Sequence, residues 1–132
     1  MPLQVHSSLP DDLESLIQQT IRACLAVHRE LGPGLLETVY ERALACELEL
    51  SGIAFECQRS VPILYRGKLL CQQRIDVVVH GRLIVEVKSV ERLAPVHVAQ
   101  ILSYLRVTGS RVGLLVNFNV ALLKHGLRRV VL

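Results

Sequence analysis

The stretch Arg74-Ile75-Asp76-Val77-Val78-Val79-His80-Gly81-Arg82-Leu83-Ile84-Val85-Glu86-Val87-Lys88 decides how this chain is read. Two apolar runs flank His80-Gly81, and β-branched runs bounded by a glycine turn predict two strands joined as a hairpin. Alternate residues of a strand share a face, so Glu86 and Lys88 point together while Val85 and Val87 face the other way. Asp76 interrupts the earlier strand, and a tight turn sets it across from Glu86, with both carboxylates facing Lys88. Charges inside so apolar a segment are costly unless paired. Two adjacent carboxylates repel, and one lysine cannot neutralise both, whereas a hard divalent cation with oxygen ligands can. A lysine beside such a cation can orient or activate a water, which outlines a hydrolytic site. The alternative for Glu86 and Lys88 is a solvated edge strand carrying a cross-strand ion pair.

Upstream, the apolar positions Leu13, Leu16, Ile17, Ile21, Cys24, Leu25, His28 and Leu31 recur at steps of three and four. This predicts an amphipathic helix, with Asp11 and Glu14 as a capping pair at its start and Gly32-Pro33-Gly34 as its stop. A second helix is expected over 36–50, closed by Ser51-Gly52. Strands are expected at 53–65, 69–79 and 83–87, the first two joined by Arg66-Gly67-Lys68. Residues 95–107 read as a helix with Val98, Ile101, Leu102 and Leu105 on its apolar side, and 112–116 and 127–132 read as strands. Helix, helix, three strands, helix, strand, strand is an α/β arrangement with a mixed sheet. Residues 1–10 form a loose lead-in, and no repeat or linker divides the rest, so 1–132 is expected to be a single domain.

A chain of 132 residues suits one domain, able to bury roughly 68% of its unfolded surface without disulfide staples. With 51% hydrophobic and 20% charged residues it is not a disordered polymer. No cationic and apolar leader is visible at the N-terminus, and no apolar run approaches the ~18 residues of a bilayer span. A cytoplasmic protein with no membrane partner is expected. Cys24, Cys46, Cys57 and Cys71 lack the close pairing that zinc sites use, and are expected to be buried reduced thiols. A zinc or cysteine hydrolase finds no support in that spacing. Residues 1–58 hold three Lys/Arg against nine Asp/Glu, a balance of −6, and residues 59–132 hold twelve against three, a balance of +9. A basic half suits an anionic partner such as nucleic acid, although two halves that complement each other explain it equally.

An Asp, about ten residues and then Glu-x-Lys, coming after a helix with a further acid, resembles the PD-(D/E)XK nuclease superfamily. More specific is Gly34-Leu35-Leu36-Glu37-Thr38-Val39-Tyr40, which resembles the G-x-x-E-x-x-Y motif of the GxxExxY family, a bacterial branch of that superfamily. The similarity continues through Arg74-Ile75-Asp76, Val85-Glu86-Val87-Lys88, residues 97–104, Gly113-Leu114-Leu115-Val116-Asn117-Phe118-Asn119 and Leu122-Leu123-Lys124-His125-Gly126. It covers about residues 15–131. The resemblance implies a restriction-endonuclease-like core, a mixed central β-sheet flanked by α-helices, and a nuclease dependent on Mg2+ or Mn2+. It implies a catalytic set of Glu37, Asp76, Glu86 and Lys88. Asp76 and Glu86 become metal ligands, the Val87 backbone carbonyl a third, and Glu37 a contact made directly or through water. Lys88 takes the water-activating and phosphate-contacting role. Val98 stands where the resemblance leads one to expect an acidic residue.

Glu37 and Tyr40 are three apart and share a helix face. A first-turn acid favoured by the helix dipole is the alternative for Glu37. Tyr40 reads as a packing residue whose hydroxyl holds a polar partner, in support of the site. His97, Gln100 and Tyr104 line one helix face and resemble the Gln-x-x-x-Tyr element that orients lysine or substrate in some nucleases of the superfamily. Here the alternative is a solvated face. Asn117 and Asn119 read as turn stabilisers. Arg92, Arg106 and Arg111 are candidates for nucleic-acid backbone contacts. The expected partner is nucleic acid, DNA ahead of RNA, and the apolar first helix offers a homodimer surface. Three Tyr, two Phe and no Trp argue against an extended base-stacking platform. The rival function is a non-catalytic nucleic-acid-binding or protein-interaction module that retains the fold.

Overall fold

The computed structural model describes residues 9–132, so the lead-in expected over 1–10 lies outside the described residues except for Leu9 and Pro10. Leu9 is packed into the core rather than loose, at 6% exposure. The elements are α1 (Asp11–Leu31), α2 (Glu37–Leu50), β1 (Phe55–Tyr65), β2 (Lys68–Val79), β3 (Leu83–Lys88), α3 (Pro95–Thr108), β4 (Val112–Asn117) and β5 (Leu127–Val131). A single 3-10 turn at Leu123–His125, not foreseen in the sequence, precedes β5.

α1 buries Leu13, Leu16, Ile17, Thr20, Ala23, Cys24 and Val27, the stripe that its three-and-four spacing sets out. Its expected capping pair does not form. Pro10 is the N-cap, with no side-chain cap bond, so Asp11 already lies inside the first turn. Glu14 instead takes the Arg129 guanidinium at 2.6 Å. Gly32 ends the helix at φ 66°, a left-handed value that glycine adopts without strain.

The sheet order is β1-β2-β3-β4-β5. Every pairing is antiparallel except β3–β4, which is parallel and therefore needs the crossover that α3 supplies. α1 and α2 cover one face, over Val77, Val79, Leu83, Val85, Val87, Leu114 and Val116. On the other, Ile101, Tyr104 and Leu105 of α3 pack over Ile75, Val78, Ile84, Leu115 and Val130. Helices on both faces explain why β3 and β4 read as continuous apolar runs. At Gly113 an added Cβ would lie 2.8 Å from Ile101 Cγ2, so glycine lets α3 settle onto β4. A mixed five-stranded sheet between helical layers is the restriction-endonuclease-like core expected from the sequence.

The sheet opens at one end and extends past its helices at one edge. β2 and β3 pair only over Val77–Val85, Val78–Ile84 and Val79–Leu83, and then separate. β1 and β2 continue together to Tyr65–Lys68, so residues 59–74 form a two-stranded arm with no third strand beside it among the described residues. At the opposite pole the Leu132 N–H donates to the Arg111 carbonyl at 3.0 Å. Arg111 lines a cavity of about 210 Å³ there with Pro10, Leu13 and Arg82.

Of the cysteines only Cys24 is buried, and its thiol is pushed up to about 12 by that burial. Cys46, Cys57 and Cys71 are exposed, contrary to expectation. Cys57 and Cys71 lie on β1 and β2, the strands that extend beyond the helical layers, and Cys46 on α2 turns away from the core. Among the described residues no helix is long and apolar enough to cross a membrane.

Candidate active site

Where β2 leaves β3, the alternation of β2 slips. Val79 and Val77 face α1 and α2, whereas Val78 and Ile75, three apart, both face α3. The irregularity is centred on Asp76, and Gln58 across from it on β1 takes the left-handed φ of 55°. Local breaks of this kind re-aim a side chain. Here they turn Asp76 into the opening between β2 and β3. Asp76 Oδ2 accepts the Val87 N–H at 2.9 Å, and the Asp76 N–H donates to Glu86 Oε1 at 3.1 Å. The two side chains thus replace the ladder bonds that the departing strands give up. A strand residue aims its N–H and C=O at the same neighbour, so the Val87 carbonyl points into this opening too.

Glu86 is buried at 2% exposure. Burial, and then the Asp76 charge, raise its carboxyl well above the usual range, to about 8. Burial also raises Asp76, although the Val87 N–H opposes the rise. The Lys88 charge favours ionisation of both without overcoming burial. Both shifts run toward the protonated form.

Lys88 is half-buried two residues along the same face of β3. Its Nζ donates to Gln100 Oε1 at 3.1 Å, and Gln100 Nε2 donates to the Tyr104 hydroxyl at 3.1 Å. Burial, then the Glu86 charge, raise the Tyr104 phenol. α3 thus braces the lysine through a relay of two polar side chains. His97 is engaged locally: its Nδ1 accepts the Ala94 N–H at 2.9 Å at the start of α3. With Gln73, Val96, Ala99, Gln100 and Ser103 it lines a groove of about 400 Å³ between the arm and α3.

From the other layer, α2 presents Glu37 at its first position. Glu37 Oε1 accepts the Ser89 N–H at 3.4 Å, and its charge helps raise Asp76. Sequence reasoning missed two neighbours. Glu41, one turn further along α2, accepts Gln58 Nε2 at 2.6 Å, and the same amide reaches Asp76 Oδ1 at 3.5 Å. Burial raises Glu41, with the Asp76 and Glu37 charges adding to it and Gln58 opposing. The i, i+4 spacing from Glu37 could have flagged Glu41. No periodicity announces Gln58, because its left-handed backbone sends the amide to the site.

Among the described residues no three His, Cys, Asp or Glu side chains are gathered closely enough to hold one cation together. Glu37 stands off from the Asp76–Glu86 pair. The pair still fits a hard divalent ion, since its donors are carboxylate oxygens held together in a buried place where positive charge would offset their burial. Magnesium commonly takes one or two carboxylates and completes its shell with water.

Tyr40 is not brought to the opening. It is fully buried, stacked on Phe118 with ring centroids 4.6 Å apart, and its hydroxyl donates to the Gly32 carbonyl and accepts the Leu35 N–H. It braces the loop that sets where α2, and with it Glu37, begins. Asn117 is buried beside Lys88 and exchanges two bonds with the Val90 backbone, at 3.0 and 2.9 Å, tying down the loop after β3. Asn119 joins it through its own N–H at 3.2 Å. Arg92 lies exposed in that loop, lining a cavity with Asn117, His125 and Arg128. Arg106 in the last turn of α3 and Arg111 just before β4 lie toward the opposite end of the sheet.

The family model of the PD-(D/E)XK nuclease superfamily matches residues 14–130 of the chain. No curated protein and no solved structure matches it.

Proposed function

The chain belongs to the PD-(D/E)XK nuclease superfamily, and we propose that it is a metal-dependent nuclease of the GxxExxY type that hydrolyses phosphodiester bonds of nucleic acid. One observation carries the reading. Two carboxyls, Asp76 and Glu86, face each other at the opening of the sheet with Lys88 beside them. Gathering like charges in a desolvated place costs stability, and a scaffold gains nothing from it.

Asp76, Glu86 and the Val87 carbonyl would hold Mg2+ or Mn2+, with Glu37, which stands off from the pair, contributing through water. Such an ion, when bound, supplies Lewis-acid polarisation of the phosphate and lowers the pKa of a water in its shell. The remaining work belongs to the chain. Lys88, held by Gln100, places its ammonium where it can orient the attacking water and offset charge developing on the phosphate oxygens. Tyr104 fixes Gln100, and so fixes the angle from which Lys88 approaches.

The test is cleavage of labelled DNA and RNA oligonucleotides with Mg2+ or Mn2+, run beside Lys88→Ala. Loss of one such charge-stabilising donor is expected to cost about 10² to 10³ in rate. Magnesium affinity should be unchanged or raised, because the site becomes more negative. An inactive parent with every divalent metal, together with a Lys88→Ala protein destabilised by about 3–5 kcal/mol that magnesium cannot restore, would make Glu86–Lys88 a structural ion pair. The nuclease reading would then fall.

A further inference from the structure

The β1–β2 arm carries a charge pattern that the site itself does not use. Between Cys57 and Ile75 the chain has four cations, Arg59, Arg66, Lys68 and Arg74, and no acid. All four are exposed, and none has an ion-pair partner among the described residues. Their placement around the ribbon is set by its register, since residues directly opposite share a face. Arg59 lies opposite Ile75, on the α3 side of the ribbon, and Arg74 lies opposite Ser60, on the other side. Arg66 sits in the turn and Lys68 just past it, at the tip. The ribbon therefore carries positive charge on both faces and at its end.

The base of the arm is the candidate active site. Asp76 comes two residues after Arg74 on β2, and Gln73 of the arm lines the same groove as Gln100, the partner of Lys88. Eight residues of extended chain separate Asp76 from Lys68, roughly 25 Å at about 3.3 Å per residue.

We propose that this arm lies in the major groove of duplex DNA and delivers the duplex to the opening at Asp76 and Glu86. The proposal rests on the nucleic-acid half of the function proposed above. The major groove of B-form DNA admits a two-stranded β-ribbon, and a ribbon lying in it meets phosphates on either side. Cations on both faces and at the tip match that geometry. A flat surface would call for cations on one face only. The deep, narrow major groove of A-form RNA excludes such a ribbon, so the shape selects DNA. At 3.4 Å per base pair, the arm spans about seven base pairs to one side of the bond held at its base.

The experiment compares the parent with the variant Arg59→Gln/Arg66→Gln/Lys68→Gln/Arg74→Gln. Binding to a fluorescent DNA duplex is measured across a salt series, and hydrolysis of bis(4-nitrophenyl) phosphate is measured in parallel. A diester of that size cannot reach the arm. Each lost phosphate contact lowers the slope of log affinity against log salt by about 0.9, so the variant's slope should fall by about 3 to 4. Its affinity at physiological salt should drop at least about tenfold, with hydrolysis of the small diester unchanged. A charge-conserving variant, Arg59→Lys/Arg66→Lys/Arg74→Lys, should bind as the parent does. A shorter duplex, with fewer than about seven base pairs on one side of the cleaved bond, should weaken the parent to the level of the variant. Unchanged affinity and slope in a folded Gln variant would overturn the proposal. So would equal binding of duplex RNA, or loss of self-association in place of loss of DNA binding. Failure of the nuclease reading is seen separately, as a parent that hydrolyses no diester with any metal yet binds duplex through the arm.

Discussion

The raised carboxyl of Glu86 makes stability depend on pH in a defined direction. Its folded carboxyl is raised from the ordinary 4.5 to about 8. The folded state therefore binds the proton more tightly than the unfolded chain does. The resulting stability is complete below about pH 4.5 and is lost as pH rises through about 8. Asp76, Lys88 and Tyr104 face Glu86, and Asp76 is shifted in the same direction. Melting of the metal-free protein should move down between pH 5 and pH 8. Magnesium at a hundred times its Kd should restore about 2.7 kcal/mol at the upper end. Glu86→Gln should melt higher than the parent at pH 8, lose most of the pH dependence between pH 5 and pH 8, and cleave nothing. A metal-free parent whose melting is flat over this range would place no proton on Glu86. At this scale the sequence was most informative about Asp76, Glu86 and Lys88, because strand parity and a short hairpin are local properties. Glu41 and Gln58 arrive through tertiary placement, and Gln58 through a backbone conformation that residue type does not signal.

Elements reveal themselves by period, and period explains both what was legible and what was not. The stripe of α1 and the apolar runs of β3 and β4 stand in the sequence because each is buried by a neighbour with the matching repeat. Asp11 is not the cap because the helix start is set by the extended ψ of 149° at Pro10 rather than by a nearby acid. The arm was legible as two strands but not as an arm. Leu64, Leu69 and Leu70 look like core residues and are exposed, since no helix reaches over them among the described residues. Two glycines show how tightly the elements are set. A Cβ on Gly126 would lie 2.1 Å from the Asn117 carbonyl oxygen, a backbone atom that cannot turn aside, while the Gly113 contact is with an isoleucine methyl. Gly126→Ala should cost about 3 kcal/mol or more and Gly113→Ala about 1 to 2 in denaturant titration. Asn117 anchors the loop after Lys88, so Gly126→Ala should also depress cleavage under conditions where the variant remains folded. The reverse order of stabilities would mean that β5 adjusts more freely than α3.

Across the whole molecule, the acidic first half and the basic second half meet in two ways. Arg82–Asp12 and Arg129–Glu14, each at 2.6 Å, join the sheet to α1, which is the complementarity that charge counting alone could not separate from ligand binding. Being at least partly exposed, these pairs contribute little stability. The arm cations have no such partners among the described residues and remain free for an anion. The tip of the arm is an exposed turn, the kind of place proteases nick, so trypsin should cut after Arg66 and leave a protein that stays folded and hydrolyses small diesters. Its DNA affinity should be reduced, because the ribbon then ends in two loose strands. Near-ultraviolet circular dichroism and a diester assay decide the first expectation, and a salt titration decides the second.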